Sequence, residues 1–343
     1  MALVAASKVR VMMTKPVERE SLCSPTEVET GFSSAIGRRT SPEKKRLADA
    51  LRKNAPASVR LDRRLFAVIG EAVGNPGGMV RAELAHGSAE MNGLSARSCE
   101  AFACAVEYFH TASLILDDLP AMDDALERRG RICSHLLHGE GYAILGSLAL
   151  ITRGYGLLAE VIAGAPWSTQ FRAHRLVEAC LGTAGLINGQ ARDLSGELGP
   201  DRPRPAAVAL GKTAPLIHLA LGLPSILAAR ESAEQQTLKA LSIYWGLLYQ
   251  GLDDLIDELL PVAMSGKTSG QDARLGRPTV VRQLGHAGAI RYLARLLRLA
   301  DRRLARLFDR SAAFRFLSIY QEAFRRRLEG VTSALPVPAE VRP

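Results

Sequence analysis

The sequence lacks the features of secreted, zinc-binding and membrane-spanning proteins. The cysteines are odd in number and show no CxxC spacing, which argues against a disulfide scaffold or a zinc site. The best candidate for a membrane span, residues 215–229, is too short and contains His218 and Pro224. A reduced, cytoplasmic protein is therefore expected. The cysteines are Cys23, Cys99, Cys104, Cys133 and Cys180.

Aromatic residues make up only 5% of the chain, and period-two alternation typical of strands is absent. Alanine, leucine and arginine dominate, which favours helices. Short breaks between helical patterns predict a single large all-α bundle over residues 41–333, after a loosely ordered extension (1–40) and before a tail (334–343). Helices are predicted over about 41–53, 59–73, 80–91, 96–118, 133–160, 169–195, 204–221, 223–230, 233–260, 279–308 and 312–330.

The net charge of +9 is consistent with anionic ligands. Much of the arginine excess lies between Arg282 and Arg327, where leucines alternate with it at helical spacing. This pattern predicts an amphipathic helix with a solvated basic face, or at most a peripheral contact with an anionic membrane. No nucleic-acid-binding motif accompanies the charge, so nucleic acid is not expected as a partner.

Two aspartate clusters stand in otherwise apolar sequence. Ionised carboxylates are rarely buried without a partner, because removing one from water costs several kcal/mol. Hard oxygen ligands in such number suit Mg²⁺, which completes its coordination with waters and substrate phosphates. The clusters therefore indicate a diphosphate held by metal ions between two acidic walls. The first contains Asp117, Asp118, Asp123 and Asp124, and the second contains Asp253, Asp254 and Asp257.

Each cluster also has a plainer interpretation. Asp253 and Asp257 lie one turn apart on one helix face, where they could form an exposed acidic surface or share a cation. In the first cluster Pro120 forces the chain out of regular helix. The Arg128-Arg129 pair that follows could form salt bridges in a surface loop or bind phosphate oxygens.

The order of several motifs over about residues 45–330 resembles the trans-isoprenyl diphosphate synthases, most closely the bacterial geranylgeranyl diphosphate synthases. The two aspartate clusters resemble that family's DDxxxxD and DDxxD motifs. The other matching segments are His110, Arg128-Arg129-Gly130, the GQxxDL-like stretch Gly189-Gln190-Ala-Arg-Asp193-Leu194, Gly211-Lys212-Thr213, Tyr249-Gln250, and Lys267 with Gln271-Asp272.

This resemblance implies an isoprenoid synthase-type bundle whose central helices carry two facing Asp-rich motifs. It also implies a homodimeric, Mg²⁺-dependent prenyltransferase that condenses isopentenyl diphosphate with an allylic prenyl diphosphate in isoprenoid biosynthesis, with geranylgeranyl diphosphate as the product. The resemblance implies three Mg²⁺ ions per site, held by Asp117, Asp118, Asp123, Asp253, Asp254 and Asp257.

The resemblance also assigns roles to basic and polar residues. Arg128, Lys212 and Lys267 would neutralise the allylic diphosphate. Thr213 and Gln250 would orient the leaving group or stabilise the carbocation through their dipoles. With Asp117, Asp118 and Asp253 these form the predicted catalytic set. The predicted substrate-binding set is Arg81, His110, Arg128, Arg129, Gln190, Lys212, Thr213, Gln250 and Lys267.

The acceptor loop departs from the family pattern GKRxRP. Gly78 and Met79 replace its lysine and first arginine, and Arg81 remains. Losing one charge-assisted contact costs about 1.5–3 kcal/mol. The enzyme therefore either elongates with a modified acceptor pocket or has become a terpene cyclase that ionises a single prenyl diphosphate. An inactive or regulatory subunit is a third alternative.

Product length is predicted from the helix that leads into the first cluster. Ser113 lies one turn below Asp117, beside Ala112. By resemblance, bulky aromatics here close the prenyl tunnel at fifteen carbons, so these small residues predict a twenty-carbon product. Alternatively, Ala112 and Ser113 serve close helix packing, and Tyr108 or Phe109 supplies the floor.

Overall fold

A computed structural model describes residues 41–56, 58, 60–195, 205–259 and 279–333. Most of these residues are helical, which confirms the predicted all-α class. The α-helices are α1 (Ser41–Asn54), α2 (Arg63–Gly74), α3 (Val80–Met91), α4 (Ala96–Asp117), α5 (Ser134–His138), α6 (Glu140–Ile162), α7 (Trp167–Leu181), α8 (Leu186–Ser195), α9 (Pro205–Lys212), α10 (Ala214–Leu227), α11 (Ser232–Leu259), α12 (Val280–Arg310) and α13 (Ser318–Ser333), with a 3₁₀ helix at Ala312–Leu317.

Polar side chains fix where several helices begin. The Asp62 carboxylate accepts hydrogen bonds from the backbone N–H groups of Arg64 and Leu65 at the start of α2. Ser95 caps α4 and Thr279 caps α12 in the same way. Such caps pair N–H groups that the first helical turn leaves unsatisfied. The predicted starts of α4 and α12, at residues 96 and 279, are within one residue of the observed ones, whereas α2 begins four residues after the predicted residue 59.

The helices that carry the two acidic clusters are joined through the core. Helix α4 packs against α3 and α6, and α11 packs against α10 and α12. Helix α10, nearly all of whose residues are buried, also contacts α4. An apolar helix buried on all sides is expected at the centre of a large bundle. It keeps α4 and α11 at a fixed separation.

Several predicted helices are interrupted at positions that the apolar periodicity concealed. The predicted helix 133–160 breaks at Gly139, whose φ of 92° is accessible mainly to glycine. The predicted helix 169–195 breaks between Gly182 and Gly185. The break predicted near residue 222 lies instead at Thr213, and Pro224 is inside α10. These boundary predictions were wrong.

The expectation that strands are absent was wrong at one short loop. Glu127–Arg128 (β1) pairs antiparallel with Arg131–Ile132 (β2). Arg129 and Gly130 between them have φ values of 54° and 70°. Two successive left-handed residues match the twist of a tight hairpin. The hairpin directs the Arg128-Arg129 pair back toward α4.

The arginine-rich C-terminal segment forms the predicted amphipathic helix. In α12 the leucines Leu293, Leu296, Leu297 and Leu304 are buried. Arg291, Arg295, Arg298 and Arg302 are exposed. The helix continues from residue 280 to 310 across a kink at Gly285. Its basic face is therefore solvated, as predicted.

Helix α6 was not singled out as a membrane candidate, yet its length and apolar composition would allow it to cross a bilayer. Only 33% of its most apolar window is buried inside the chain. An apolar helix with an exposed face needs a partner surface.

The boundaries of the predicted domain stay a prediction, and residues 1–40 and 334–343 lie outside the described residues.

Candidate active site

The first acidic cluster folds back onto the end of α4. Asp117 and Asp118 end the helix, and each is only 5% exposed. The backbone N–H of Asp123 donates to the carbonyl of Asp117 at 2.8 Å, and the N–H of Ala125 donates to that of Asp118 at 3.2 Å. After Pro120 ends the regular helix, the chain therefore forms a compact turn, which holds Asp123 beside the C-terminal end of α4.

Two helices converge on the Asp117 carboxylate. Gln190 on α8 donates to Asp117 Oδ1. Lys212 Nζ lies 3.5 Å from Asp117 Oδ2 and 2.8 Å from Asp193 Oδ2. Burial raises the pKa of Asp117 to about 6; Lys212 lowers it and the nearby Asp123 carboxylate raises it. A cation beside the Asp117 carboxylate would therefore stabilise its ionised form.

A backbone contact between two glycines makes this convergence possible. Gly189 on α8 lies directly against Gly211 on α9, so that a Cβ on either would overlap the other residue's backbone. The residues that follow these glycines are Gln190 and Lys212. Because neither glycine has a side chain, the two helices approach closely enough for both polar groups to reach Asp117.

Arg128 pairs within the first cluster. Its Nε donates to Asp118 Oδ1 at 2.6 Å, and the two side chains are 22% and 7% exposed. Burial raises the pKa of Asp118, and Arg128 partly offsets the rise. Of the two interpretations of Arg128, the contact observed here is therefore the salt bridge. Its predicted role as a diphosphate ligand stays a prediction.

The second cluster lies near the end of α11. The Asp254 carboxylate accepts from Gln250 Nε2 at 2.9 Å and from the backbone N–H of Val280 at 3.0 Å. Val280 is the first residue of α12, so Asp254 also faces the positive end of that helix dipole. Asp254 is 5% exposed, whereas Asp253 and Asp257 are half-buried. These three aspartates thus have different surroundings.

Residues 212 and 213 link the two clusters. Lys212 contacts Asp117 of the first cluster. The Thr213 hydroxyl donates to Gln250 Oε1 at 3.4 Å, and Gln250 in turn donates to Asp254 of the second. Two consecutive residues therefore contact both acidic regions, which places the clusters around one end of α9.

The carboxylates of both clusters determine whether the site suits Mg²⁺. Within the described ranges, no three acid, imidazole or thiolate groups enclose a metal position as they stand. The donor set nevertheless fits a divalent cation. Asp117 faces the like charges of Asp123 and Asp193 and is balanced by Lys212, and Arg327 Nη2 lies 2.6 Å from Asp253 Oδ1. A cationic side chain thus contacts one carboxylate of each cluster.

The predicted acceptor residues form a second, basic region. Arg81 Nη1 lies 3.3 Å from His110 Nε2. Arg129 Nη1 donates to the carbonyl of Asn75 at 3.2 Å, and its guanidinium covers Gly77, where a Cβ would collide with it. Burial lowers the pKa of His110 well below its usual value, and Arg81 lowers it further. His110 is therefore neutral at pH 7.

The two residues that depart from the family pattern behave differently. Met79 is buried in the core and caps α3 in a left-handed conformation (φ 52°). An arginine placed there would put its charge into apolar surroundings. Gly78 is half-buried in the loop before it. Met79, which stands where the family pattern has an arginine, therefore packs in the core instead of binding a substrate.

The predicted chain-length residues lie in the last turns of α4, and their role stays a prediction. Ala112 is fully buried, and the Ser113 hydroxyl donates to the carbonyl of His110 at 2.8 Å. One turn further, the Phe109 ring meets Tyr155 edge-on with centroids 5.0 Å apart. Tyr108 points away, since its hydroxyl donates to the carbonyl of Leu51 on α1.

The structure adds site residues that the sequence did not single out. Asp193 holds Lys212, and the buried Glu107 lies among the acceptor cations. Arg327 reaches Asp253 from α13. Asp193 could have been found, because it belongs to the GQxxDL-like segment. Glu107 and Arg327 belong to none of the matched motifs, so no sequence signal pointed to them. The predicted Lys267 lies outside the described residues.

The chain is similar to known proteins. The model of the family described as "Polyprenyl synthetase" matches residues 62–294. The geranylgeranyl diphosphate synthase of Pantoea ananas is 39% identical over 207 residues, which cover 59% of this chain and 66% of that protein. Geranylgeranyl pyrophosphate synthase 6, mitochondrial, of Arabidopsis thaliana is 35% identical over 260 residues, 74% of this chain and 77% of that protein.

Solved structures agree with the predicted fold. A geranyltransferase from Helicobacter pylori, complexed with magnesium and isoprenyl diphosphate, superposes with a TM-score of 0.69 at 25% identity. The match covers 92% of this chain and 100% of that one. These likenesses confirm the prenyltransferase prediction at the level of the family. The chain belongs to the polyprenyl synthetase family.

Proposed function

We propose that this protein is a Mg²⁺-dependent prenyltransferase that condenses isopentenyl diphosphate with an allylic diphosphate to give geranylgeranyl diphosphate. The observation that carries the proposal is the contact of Lys212 and Thr213 with the two acidic clusters. This contact brings carboxylates from α4 and α11 to one place beside a basic region. The names of the Pantoea and Arabidopsis relatives support the product.

Magnesium use is supported by the carboxylate chemistry and by the magnesium named for the Helicobacter structure. Asp117, Asp123, Asp253 and Asp257 would hold the ions, for which three is the number implied by the resemblance. Asp118 and Asp254, which pair with Arg128 and the start of α12, would position their neighbours. When bound, Mg²⁺ neutralises the allylic diphosphate and so makes it a better leaving group.

The chain's own residues orient both substrates. Lys212 and Gln190 fix the Asp117 carboxylate, and Lys212 adds positive charge where the allylic diphosphate departs. Arg81, Arg129 and neutral His110 would bind the acceptor diphosphate, with His110 as a hydrogen-bonding group. The double bond of isopentenyl diphosphate then attacks the allylic carbocation through C4, which leaves a cation at C3. The released diphosphate takes a proton from C2, and a new double bond forms between C2 and C3.

Geranylgeranyl diphosphate fits the residues below the first cluster. Ala112 is small, and the Ser113 hydroxyl is tied to the helix backbone. The first aromatic ring below them is that of Phe109, which Tyr155 supports. A prenyl chain would therefore pass residues 112 and 113 before it meets Phe109. This arrangement supports a product longer than fifteen carbons.

The cyclase and regulatory alternatives gain no support. Gly78 and Met79 motivated the cyclase, but Arg81 contacts His110, and Arg129 is close enough to act on His110 electrostatically. The relatives quoted above are named for synthesis of a prenyl diphosphate. A regulatory subunit would not need both acidic clusters.

An elongation assay tests the proposal. Purified protein with Mg²⁺ is incubated with geranyl, farnesyl or geranylgeranyl diphosphate, with and without isopentenyl diphosphate. We expect twenty-carbon diphosphate from geranyl or farnesyl diphosphate only when the acceptor is present, and none with EDTA. A hydrocarbon or alcohol formed from the allylic substrate alone would instead establish a cyclase. No product under any condition would leave the regulatory alternative.

We also propose that the protein is a homodimer formed through an apolar face, defined as the exposed side chains Leu136, Leu137, Ile144, Leu145, Leu148 and Tyr155 of α5 and α6. Positions 144, 148 and 155 recur at helical spacing on one stripe. Contiguous exposed apolar residues mark association surfaces, and a second copy covers such a stripe symmetrically. A membrane contact would be peripheral.

The dimer is tested by a charge placed on the apolar face. We expect Leu148→Glu to shift the molar mass in light scattering from two chains to one, because a dimer would bury two carboxylates without partners. Leu284→Glu is the matched control, since Leu284 is similarly exposed (45% against 51%) on α12. A wild-type protein of one-chain mass would contradict the proposal.

A cytoplasmic location is proposed on the state of the cysteines. Cys99, Cys104, Cys133 and Cys180 are free and buried. Burial raises the pKa of Cys104, Cys133 and Cys180 to about 12, so their thiols are unreactive. Such thiols are consistent with a reducing compartment. No nucleic acid is proposed as a partner.

A further inference from the structure

One buried ion pair joins the last helix to the second acidic cluster. Arg327 Nη2 on α13 lies 2.6 Å from Asp253 Oδ1. The two side chains are 9% and 20% exposed, so water screens the pair weakly. The partners are 74 residues apart in sequence. A guanidinium therefore contacts the carboxylate on which the proposed metal site depends.

The same arginine is connected to the acceptor region by an aromatic ring. The Arg327 guanidinium carbon lies 5.7 Å from the centroid of the Tyr249 ring, and that of Arg81 lies 4.9 Å from it. Both distances are typical of cation–π contacts. Tyr249 precedes Asp253 by one helical turn, so Arg327 lies where the metal-binding and acceptor regions meet.

A divalent cation and Arg327 cannot both neutralise Asp253 fully. One positive charge balances this carboxylate, and a second would meet repulsion from the first at short range. A guanidinium is also well suited to a diphosphate, because its N–H fork matches phosphate oxygens. If Asp253 is taken by a metal ion, the diphosphate that arrives with it provides Arg327 with a new partner.

We propose that Arg327 is a resident cation of the second acidic cluster: it neutralises Asp253 before substrate binds, and passes to a diphosphate oxygen when divalent cations and diphosphate bind together. This inference rests on the proposed function, which supplies both ligands. It makes the two ligands cooperative. The metal alone must displace Arg327, whereas metal with diphosphate gives Arg327 a partner, and such coupling is reciprocal.

Binding measurements without turnover test this exchange. Mn²⁺ is titrated in the absence of diphosphate, with the free ion followed by electron paramagnetic resonance. Arg327→Gln should bind Mn²⁺ about threefold to tenfold more tightly than wild type, because the competing charge is gone. At saturating Mg²⁺, calorimetry with inorganic diphosphate should show affinity about tenfold weaker, because a charge-assisted contact is lost.

Two variants separate the effect from a change in net charge. Arg326→Gln removes the same charge one residue away, where Arg326 pairs with Glu322 and is 50% exposed. Both affinities should stay within about twofold of wild type, as for other exposed pairs. Arg327→Lys keeps the charge but loses the fork. It should bind Mn²⁺ like wild type and diphosphate with intermediate affinity.

Tryptophan fluorescence reports whether α13 stays in place. Trp245 Nε1–H donates to Gln321 on α13 at 2.8 Å, and its ring lies 6.0 Å from that of Phe324. The other tryptophan, Trp167, is 80% exposed and on α7. A displaced α13 would therefore shift the Trp245 emission. We expect the emission of Arg327→Gln to match that of wild type.

Several outcomes would overturn the inference. Unchanged or weaker Mn²⁺ binding by Arg327→Gln would show that the arginine does not compete for Asp253. A shifted Trp245 emission with both affinities reduced would make Arg327 a static bridge between helices. Failure of the proposed function would be seen in the elongation assay instead, where wild type that binds Mn²⁺ would form no elongated product. Wild type that bound no Mn²⁺ would overturn both.

Discussion

Replacing Asp117 by asparagine is expected to lower kcat for elongation by about 10²–10³-fold, the usual cost of removing one charge-stabilising group from an active site. The asparagine oxygen can still accept from Gln190, so the shape of the site persists while its charge is lost. Incorporation of labelled isopentenyl diphosphate at saturating substrate and Mg²⁺ measures the effect.

Stability should respond in the opposite direction. Because burial raises the pKa of Asp117 from 3.8 to about 6, its ionisation opposes folding increasingly as pH rises from 3.8, and fully above 6. Asparagine removes that cost. At pH 7 without Mg²⁺, the melting temperature of Asp117→Asn should therefore equal or exceed that of wild type. Lost activity with retained stability would identify a functional carboxylate.

Asp124→Asn is the control for this change. Asp124 is exposed and has a φ of 49°, a conformation that asparagine adopts as readily as aspartate. Asp124→Asn removes the same charge from the same cluster at an exposed position, so kcat should stay within about twofold of wild type. Equal losses in both variants, or more than a tenth of wild-type kcat in Asp117→Asn, would argue against the assigned role.

Gly189→Ala is expected to lower the free energy of unfolding by about 3 kcal/mol, the upper end of the range for overpacking. The new methyl group would overlap the backbone of Gly211, and no side-chain rotation can relieve that contact. Helices α8 and α9 would have to separate, which would withdraw Gln190 and Lys212 from Asp117. Urea unfolding and kcat at a permissive temperature would measure the two effects.

Gly70→Ala provides the comparison. Gly70 is an exposed helical glycine of α2, and a Cβ there would meet nothing within 4 Å. Alanine favours a helix over glycine by about 1 kcal/mol, so this variant should be as stable as wild type or more so. If Gly189→Ala unfolded at the same urea concentration as Gly70→Ala, the close approach of α8 and α9 would not matter.

The sequence predicted the parts of the site that depend on local rules. Helix periodicity and Pro120 placed Asp117 at the end of α4, and helix periodicity placed Asp253 and Asp257 on one face of α11. Motif order then placed Gln190 and Lys212 in the predicted substrate-binding set, and the structure shows that both contact Asp117. These features extend over a few turns of helix, where spacing in sequence fixes spacing in space.

The pairing of the charged side chains could not be predicted in the same way. Arg327 reaches Asp253 only because α13 packs against α11, and no local pattern records that packing. Asp254 meets the first N–H of α12 for a similar reason. The helix breaks at Gly139 and Gly182 had visible glycine signals, but apolar periodicity on both sides outweighed them. Long-range packing decided the partners of Arg327 and Asp254, whereas the break at Gly139 follows from that glycine's own backbone conformation.

The anchoring of α12 by Asp254 matters for how mutational scans of the second cluster are interpreted. Both oxygens of this carboxylate accept hydrogen bonds within the protein. A substitution here would disturb the start of a 31-residue helix as well as any chemistry nearby. Inactivity at residue 254 would thus be ambiguous evidence about ligation, and the same holds at residue 253, whose carboxylate pairs with Arg327 of α13.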